Sequence, residues 1–600
     1  MKNWKRFAVF CMAGGLLAAQ LAGCSPKNSN MENSASLAGA ETEGAPKSVQ
    51  ADADAGTSVK TEKTEAGDIR QAVKLGEGNE KEIVWLLEDL DAEWDSQEAA
   101  AIVCDDSGIT AEGEGVAVNG QTVTISKAGT YVVTGVMMDG QILIDTGKDE
   151  TVHLVFNGVE LSNMATAPVY SRGKGKVILT LADGTVNTVS DSTEYQYASE
   201  TEDEPNAPVF VKGDLTVNGT GVLNVYGNYE CGIRSKGDLK VISGTVDIKA
   251  ESDGLKGRDS VLIRDGVFTI QSGKDGIKAN NDEDPDQGYI WIDGGQITIT
   301  AKDDGIQAET NVIISGGEIG ITESDEGIAG LTVDILGGVT RLVSSDDGIN
   351  SAASVETERE KAEDQEGVYT RIAGGEIHIN ATADGIDSNG DFYMEGGMVY
   401  LSGPSGSGDG ILDYNGDGII TGGTLIGLGS SEMMQAFDES RSSQNFLVVY
   451  FTEQKKAGTT VVLTDDSGKE MAGITAEKDY SAAIISTPDI QAGKTYHVSD
   501  GQETVDMQVE GIMTIYGTAK RRGMGGRPGG RGGDQMAPPD GRDGDQMVQP
   551  DGRGGDQIAP PDGRGRDQTA PPDGRGRDQM TRPDGDSVTR RPPSDATSSS

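Results

Sequence analysis

Two short acidic motifs contain the residue types that bind metal ions. Residues 387–391 and 413–417 both follow the pattern D-x-N-G-D, and the acidic segment 280–286 fills the equivalent position of an earlier repeat. Carboxylate and amide oxygens are the ligands that calcium prefers. The second motif matches the start of an EF-hand loop, but position twelve is Thr424 instead of glutamate and no helix is predicted on either side. The motifs therefore predict calcium sites at the corners of a repeated fold; the alternative is an Asn-Gly turn without a metal.

A second acidic pattern places one acid directly before a glycine in each repeat. These acids are Asp253, Asp275, Asp304, Glu326, Asp347, Asp384 and Asp409. If the repeats stack, neighbouring carboxylates about 4.8 Å apart repel each other by ~3–4 kcal/mol at an effective dielectric near 20. Lys256, Lys274 and Lys302 can offset part of this repulsion, whereas the later acids have no lysine beside them. Calcium is the expected counter-ion; alternatively, the side chains point into solvent or accept hydrogen bonds from corner N–H groups.

Both patterns together give one set of predicted calcium ligands. They are Asp282, Asp284, Asp286, Asp304, Asp347, Asp384, Asp387, Asn389, Asp391, Asp413, Asn415 and Asp417.

The elements that position these acids belong to a repeat of about 22 residues between Gly244 and Gly423. Six pairs of glycines stand ten residues apart, at 244 and 254, 266 and 276, 295 and 305, 317 and 327, 338 and 348, and 375 and 385. Segments with period-2 alternation flank each corner, which is typical of strands. We therefore predict an all-β protein whose main part is a right-handed parallel β-helix, a solenoid in which each coil stacks on the one before.

One outward face of the predicted solenoid carries aromatic side chains and an arginine. In the strand before each Gly-Gly corner, the residues two and four places ahead of the first glycine point inward, as Ile292 and Ile290 do. The outward set is Tyr289, Trp291, Tyr369, Arg371 and Tyr393. Aromatic rings on an exposed sheet can stack on sugars, and arginine can grip carboxylates. We predict that these residues bind carbohydrate; the alternative is a set of scattered surface aromatics.

Several segments resemble one known family. They are Gly129-Thr-Tyr-Val-Val-Thr-Gly135, Val155-Phe-Asn-Gly-Val-Glu-Leu161, Leu181-Ala-Asp-Gly-Thr-Val-Asn187, Gly227-Asn-Tyr-Glu-Cys-Gly-Ile233 and Gly273-Lys-Asp-Gly-Ile277. Residues 101–423 resemble the clostridial carbohydrate-binding β-helix proteins, which are similar to pectate lyases in fold. The resemblance implies calcium-associated binding of polygalacturonate and cellulose-like glycans, on the sheet where lyases of this fold hold substrate. Cys231 departs from the pattern because other coils carry an acid there.

The two ends of the chain differ in composition from the repeat. Residues 1–21 combine a basic start with an apolar run, and Leu21-Ala-Gly-Cys24 resembles a bacterial lipobox, so we predict lipidation of Cys24; an ordinary cleaved signal peptide is the alternative. Cys104 and Cys231 are either two thiols or a disulfide. The C-terminal tail is rich in Pro, Gly, Arg and Asp, which predicts disorder.

These patterns divide the chain into five parts. We predict a lipoprotein signal peptide at 1–24, a disordered linker at 25–80, the β-helix at 81–430, a small antiparallel β unit at 431–517 and a disordered tail at 518–600. Within the third part, residues 83–90 can cap the open end of the solenoid. For the fourth part, a further irregular set of coils is the alternative.

The composition and the positions of the histidines and basic residues limit the classes of function that this protein can have. Fifty basic residues against 98 acidic ones give a net charge of −48, which argues against nucleic acid as a partner. His153, His378 and His497 are far apart in the sequence. A lyase would need a basic residue near a calcium-bound carboxylate, and Lys256 or Arg258 beside Asp253 is the nearest candidate. We therefore predict a monomeric lipoprotein on the extracellular side of a bacterial membrane. It binds pectic or glucan polysaccharide with calcium and contacts the membrane only through its lipid. A polysaccharide lyase and an adhesive surface protein are the alternatives.

Overall fold

The computed structural model describes residues 59–105, 108–199, 201–353, 364–406 and 408–519. The predicted signal peptide with Cys24 lies outside the described residues, and so do positions 25–58 of the predicted linker and the tail beyond residue 519. Among the described residues, no helix is long and apolar enough to cross a membrane.

The described chain is almost entirely β, and most strands belong to three parallel ladders, one strand per coil in each. The first ladder contains Lys176–Leu181, Leu215–Gly219, Asp238–Val241, Ser260–Ile263, Tyr289–Ile292, Asn311–Ile314, Thr332–Ile335, Tyr369–Ile372, Asp391–Met394 and Gly418–Ile420. The second contains Val186–Ser190, Val222–Gly227, Thr245–Ala250, Val267–Ser272, Gln296–Thr300, Glu318–Glu323, Val339–Ser344, Glu376–Ala381, Met398–Ser402 and Thr424–Gly429. Two long strands, Gly129–Met137 and Thr151–Ser162, run through both ladders.

The third ladder is a separate sheet of mostly three-residue strands. They are Thr122–Ile125, Gln141–Ile144, Val169–Ser171, Val209–Val211, Ile233–Ser235, Leu255–Gly257, Ile277–Ala279, Ile306–Ala308, Ile328–Gly330, Ile349–Ser351, Ile386–Ser388 and Leu412–Tyr414, with Val116–Asn119 antiparallel at its edge. The three parallel ladders confirm the predicted β-solenoid; its right-handed winding stays a prediction.

The regular glycine spacing reflects close contact between successive coils. At the Gly-Gly corner, Gly317 has φ +92°, and a Cβ on it would lie 3.0 Å from the carbonyl oxygen of Gly295 in the preceding coil. Gly305, ten residues after the corner glycine Gly295, is equally restricted, because a Cβ on it would lie 2.6 Å from the carbonyl oxygen of Gly327 in the next coil. Both positions therefore require glycine for the coils to stack.

The solenoid interior is filled by aliphatic side chains from all three ladders. The inward positions expected from the alternation are fully buried, as Ile290, Ile292, Val312 and Ile314 show. At the N-terminal end, Ala100–Asp105 pairs with Gly129–Met137 and with the antiparallel strand Gly108–Glu112.

Residues 60–85 form an antiparallel sheet that packs on the side of the solenoid. This N-terminal sheet consists of Lys60–Lys63, Ile69–Lys74 and Glu80–Trp85, with a 3-10 turn at Gly76–Gly78 and a helical turn at Leu87–Leu90 after it. Two sequence predictions are corrected here. Lys60–Lys63 and Ile69–Lys74, which lie within the predicted linker, form strands. Residues 83–90 cover a lateral face instead of an open end, because Ile83 and Trp85 pack against outward side chains of the first ladder.

The C-terminal region, residues 446–516, is built mainly from antiparallel pairs, with one parallel pair between Phe446–Lys455 and Met513–Tyr516. Phe446–Lys455 and Tyr480–Ser486 extend the second ladder from Thr424–Gly429, and Met513–Tyr516 pairs with the former. A four-stranded sheet of Glu470–Thr475, Thr460–Asp465, Thr495–Ser499 and Thr504–Gln508 has its own buried cluster.

Candidate functional site

The middle residue of each short third-ladder strand points away from the solenoid interior, and the strands stack in register. We call these residues the outward column. In chain order they are Leu143, Tyr170, Phe210, Arg234, Lys256, Lys278, Gln307, Ala329, Asn350, Asp387 and Asp413. The column changes from apolar to basic, then to neutral and finally to acidic. Its chemistry therefore differs along the length of the solenoid.

Six of the predicted acids stack beside this column, and we call them the acidic ridge: Asp253, Asp275, Asp304, Glu326, Asp347 and Asp384. Asp409 does not continue this row, because Ile386 pairs with Leu412 and Gly410 therefore takes the position next to Asp384, whose Oδ1 accepts the Gly410 N–H. Several accept a backbone N–H from the next coil. The amides of Asp304 and Glu326 donate to Asp275 Oδ1 and Asp304 Oδ1 over 3.1 and 3.3 Å, and the amide of Asp384 donates to Asp347 Oδ1 over 2.8 Å. Hydrogen bonds from corner N–H groups are thus present at these acids, and calcium as their counter-ion stays a prediction.

Two ridge acids are neutralised by lysines of the outward column. Lys256 Nζ lies 2.7 Å from Asp253 Oδ2, and Lys278 Nζ lies 2.5 Å from Asp275 Oδ2. Both carboxylates are buried. The predicted pairing of Lys256 is confirmed, whereas the lysine beside Asp275 is Lys278 and not Lys274, because only a residue three places after the acid reaches the column.

The third predicted lysine does not serve the ridge. Lys302 Nζ pairs with Glu323 Oε1 across two exposed side chains. From Gln307 onward, the outward column offers no lysine, so the ridge acids of these coils lack the partner that Asp253 and Asp275 have.

The unpaired part of the ridge holds carboxyl groups whose protonated form is favoured. Burial, followed by neighbouring carboxylates, raises the pKa of Asp304 to about 8 and that of Asp347 to about 8. The same causes raise the pKa of Asp384, and that of its neighbour Asp387 in the outward column, to about 7. No lysine or arginine of the described residues forms an ion pair with these four groups. The later part of the ridge therefore carries carboxyl groups that lack the lysine partner of Asp253 and Asp275.

The donor atoms in this row fit a hard cation. Gln307 Oε1 and Asn350 Oδ1 are buried and have no hydrogen-bond partner among the described residues, while the Asn350 amide donates to Glu326 Oε1 over 2.6 Å. One carboxylate oxygen from each of Asp275, Asp303 and Asp304 lies within 4.8 Å of the other two. An all-oxygen set of this kind suits calcium. Asp303 was absent from the predicted ligands, although the doubled Asp303-Asp304 marked it in the sequence.

The structure separates the residues of the two D-x-N-G-D motifs. Asp387 and Asp413 belong to the outward column, next to the ridge. The other members connect one corner to the next: the Asn415 amide donates to Asn389 Oδ1 over 3.0 Å, and the Asp417 N–H donates to Asp391 Oδ1 over 2.6 Å. Arg441 also pairs with Asp417, and Tyr393 donates to Asp391. The corner oxygens therefore help to hold successive coils together, and calcium at these corners stays a prediction.

Three other predicted ligands lie on an exposed loop away from the ridge. Asp282, Asp284 and Asp286 precede Tyr289–Ile292 at the corner between the third and first ladders. Lys81 of the N-terminal sheet donates to the carbonyl oxygen of Asp286 over 2.7 Å. This loop thus contacts the N-terminal sheet, and its acids are not brought together with Asp304 or Asp347.

The predicted carbohydrate-binding face is covered by the N-terminal sheet. Tyr289, Trp291, Tyr369 and Arg371 point away from the solenoid interior as expected, yet all four are buried. The expectation that they are exposed is wrong, because Val73, Leu75, Ile83 and Trp85 pack over this part of the first ladder. Tyr393 stays half-buried.

Polar contacts tie the same face to the N-terminal sheet. Arg371 pairs with Asp334 at 3.1 Å and with Glu395 at 2.8 Å, and the Tyr369 hydroxyl donates to Asp334 over 2.8 Å. Gly76 N–H donates over 3.2 Å to Asp334 Oδ1, the oxygen that Arg371 also contacts. Arg371, which was expected to bind a sugar carboxylate, is therefore already paired with carboxylates of the protein.

An open cleft of about 480 Å³ lies elsewhere, over the N-terminal coils of the third ladder. Leu143 and Tyr170 of the outward column line it, together with Tyr197, Arg172 and Lys212. Sequence reasoning did not single out these residues, since Tyr197 comes from a long connection with no regular repeat.

The groups considered for catalysis are engaged in local contacts. His153 Nε2 lies 2.6 Å from Thr180 Oγ1, His378 Nε2 lies 2.7 Å from Glu376 Oε1, and His497 Nδ1 lies 2.7 Å from Asp506 Oδ1. Both candidate bases for a lyase are paired with carboxylates: Lys256 pairs with Asp253, and Arg258 pairs with Glu283 at 2.6 Å. These residues form no shared site.

The ridge predicts how stability depends on pH in the presence of a chelator. Folding raises the pKa of Asp304, Asp347, Asp384 and Asp387, so the folded protein binds more protons than the unfolded chain above about pH 4. Their contribution is complete below pH 4 and is lost as the pH rises to about 8. We expect the melting temperature in EDTA to fall between pH 5 and pH 8.5, with a smaller fall for Asp347→Asn. A melting temperature that rises over this range would contradict the electrostatic account.

The central part of the chain is similar to known proteins. Residues 119–410 match the family described as carbohydrate-binding domain-containing proteins. A protein of that description from Acetivibrio thermocellus is 37% identical over 152 residues, which cover 25% of this chain and 53% of the relative. The match thus spans about half the length of that relative.

A solved structure gives a further similarity. It is described as the polysaccharide lyase-like protein from C. thermocellum in a gadolinium derivative, with 36% identity and a TM-score of 0.37, covering 42% of this chain and 97% of that one. From the family match, the part of the chain between residues 119 and 410 is similar to carbohydrate-binding domain-containing proteins.

Proposed function

We propose that this protein is a non-catalytic polysaccharide-binding protein of the bacterial cell surface. The observation that carries the proposal is the match of residues 119–410 to carbohydrate-binding domain-containing proteins, on a solenoid with an open cleft lined by tyrosines. Cellulose-like glycans and polygalacturonate are the proposed ligands. The pairing of Lys256 and Arg258 with carboxylates supports binding without cleavage, because a paired cation is a poor proton acceptor.

Calcium is the proposed cofactor, held by the unpaired part of the acidic ridge. Asp304, Asp347, Asp384 and Asp387 would supply carboxylate oxygens, and Gln307 and Asn350 would supply amide oxygens. Because these residues belong to several successive coils, calcium ions along the row would provide the positive charge that Lys256 and Lys278 provide in earlier coils. Their role in this proposal is to stabilise the stack of coils.

The proposed location follows from the N-terminal sequence. A lipid on Cys24 would anchor the protein on the extracellular side of the membrane, and the chain would act as a monomer. Metabolic labelling with a radioactive fatty acid tests this, since Cys24→Ala should remove the label.

Binding to insoluble cellulose and to polygalacturonate gels tests the proposed function. We expect the protein to be retained on at least one of them without releasing product. Formation of an unsaturated, ultraviolet-absorbing product from polygalacturonate would instead identify a lyase, and failure to bind either polymer would contradict the proposal.

Replacing Asp387 by asparagine tests the calcium site with two opposite effects. The variant removes one of several neighbouring carboxylates, so its melting temperature in EDTA should rise by a few degrees, as expected for about 1 kcal/mol. Its stabilisation by calcium should shrink at the same time. Asp282→Asn, on the exposed loop, is the matched control and should change neither quantity. If calcium leaves the melting temperature of the wild-type protein unchanged, the proposed calcium site is wrong.

A further inference from the structure

The open cleft at the N-terminal coils has two tyrosines held in defined positions. Tyr170 packs with its edge against the buried ring of Phe210, at a centroid distance of 5.8 Å and an angle of 70°. The hydroxyl of Tyr197 donates to the carbonyl oxygen of Pro205 over 2.9 Å. Because both rings are positioned before any ligand arrives, stacking on them would require little loss of side-chain entropy.

Neighbouring side chains support the Tyr197 side of the cleft. Tyr195 stacks on Tyr229 with centroids 4.4 Å apart and an angle of 16°, and the Tyr197 ring lies 6.1 Å from that of Tyr195. The Tyr195 hydroxyl donates to Asp191 over 2.7 Å, and the Asn228 N–H donates to the same carboxylate. The connection that carries Tyr197 is thus bonded to the solenoid coil beneath it.

The charged groups around the cleft pair with one another. Arg172 lies 2.5 Å from Asp145, and Glu204 lies 2.6 Å from Lys236 and 3.5 Å from Lys212. Glu202 and Asp203 add two further carboxylates to the lining. Three cations therefore face four carboxylates, in a protein whose net charge is −48. Each of these cations already lies beside a carboxylate of the protein, so none is free to pair with the carboxylate of an acidic sugar.

The geometry points to this cleft as the binding site for a neutral, hydroxyl-rich oligosaccharide segment. Sugar rings stack on Tyr170 and Tyr197, while their hydroxyls exchange hydrogen bonds with paired charges and with the amide groups of Gln141 and Gln196. Hydroxyls act as donors and acceptors at once, so they suit a lining in which both kinds of group alternate. This assignment rests on the proposed polysaccharide binding and names the site and the ligand class.

Affinity electrophoresis of the purified protein in EDTA tests the assignment, with gels that contain hydroxyethylcellulose, xyloglucan or polygalacturonate. We expect retardation by a neutral polymer, and a loss of affinity of about tenfold or more in both Tyr170→Ala and Tyr197→Ala. Tyr170→Phe keeps the ring and should keep the affinity. Tyr226→Ala is the matched control, because Tyr226 is an exposed tyrosine on the second ladder, outside the cleft.

The outcomes separate the cleft from the broader proposal. Wild-type protein that binds no polymer, with or without calcium, would contradict the proposed function itself. Retardation that persists in both alanine variants would overturn the assignment of the cleft and leave polysaccharide binding intact. Retention by polygalacturonate alone, lost in Tyr197→Ala, would overturn the neutral ligand class. Melting curves of the variants confirm that the fold is retained, and Tyr197→Ala carries the test if Tyr170→Ala does not fold.

Discussion

Replacing Trp85 by alanine is expected to lower the free energy of unfolding of the N-terminal sheet by about 3–5 kcal/mol. Trp85 is fully buried between this sheet and the first ladder, in a cluster with Tyr289, Trp291 and Ile313. Its indole N–H donates to Gln71, so the substitution also leaves a buried amide oxygen without its donor. Trp85 is thus the largest single anchor of the sheet on the solenoid.

The expected loss is local, and amide hydrogen exchange measures it. Exchange should accelerate in Ile69–Lys74, Glu80–Trp85 and the covered strand Tyr289–Ile292, while the inner strands of the solenoid keep their protection. Leu87→Ala is the control in the same segment, because the Leu87 side chain is 51% exposed and its removal should cost less than about 0.5 kcal/mol. Unchanged exchange in Trp85→Ala would mean that the sheet does not depend on this contact.

Replacing Lys278 by methionine is expected to destabilise the solenoid by about 2–4 kcal/mol in EDTA at neutral pH. The change keeps the length of the side chain but leaves Asp275, which is fully buried, without its cation. Lys278 itself remains 24% exposed, so the effect should lie towards the lower end of the values for fully buried pairs. Chemical denaturation of both proteins provides the measurement.

Lys302→Met is a matched control for this substitution. The Lys302–Glu323 and Lys278–Asp275 pairs have the same N–O distance of 2.5 Å, but the side chains of the former are 62% and 56% exposed. An exposed pair contributes about 0–1 kcal/mol, so the control should be almost silent. If both substitutions have equal effects, burial does not decide the strength of these pairs.

Calcium should partly restore the Lys278→Met variant. Once the lysine is gone, the oxygens of Asp275, Asp303 and Asp304 are close enough together to share one ion. We expect calcium to stabilise this variant more than the wild-type protein. An equal response would show that the ion does not replace the lysine.

The alternation and the glycines predicted the solenoid because both act locally. Gly305 and Gly317 must lack a side chain for one coil to meet the next, and Ile290 and Ile292 face inward because a strand alternates its sides. The acids of the ridge could be predicted to stack on one another because each stands directly before the glycine of its repeat. Each of these inferences needed only the chain within about one repeat.

The binding residues were harder to predict because their exposure depends on distant segments. Trp291 and Tyr369 do lie on an outward face, but strands about 200 to 300 residues earlier in the chain cover it, through contacts such as that of Gln71 with Asp293 at 2.8 Å. No local pattern marks such a contact. The cleft at Tyr170 and Tyr197 escaped notice because one tyrosine lies on a strand and the other on an irregular connection.

The sequence alone determined the stacked coils and the row of acids, since the steric demand for glycine and the two-residue period of a strand are properties of neighbouring residues. Only the tertiary structure decided which acids keep a lysine, which face is covered and which cleft stays open. Lys278 instead of Lys274 reaches Asp275 because of its direction from the strand, and the N-terminal sheet buries Trp291 because apolar surface is removed from water wherever the chain can reach it. The pairing of Asp275 and the burial of Trp291 depend on which segments lie close together in three dimensions, and a local sequence pattern does not predict this.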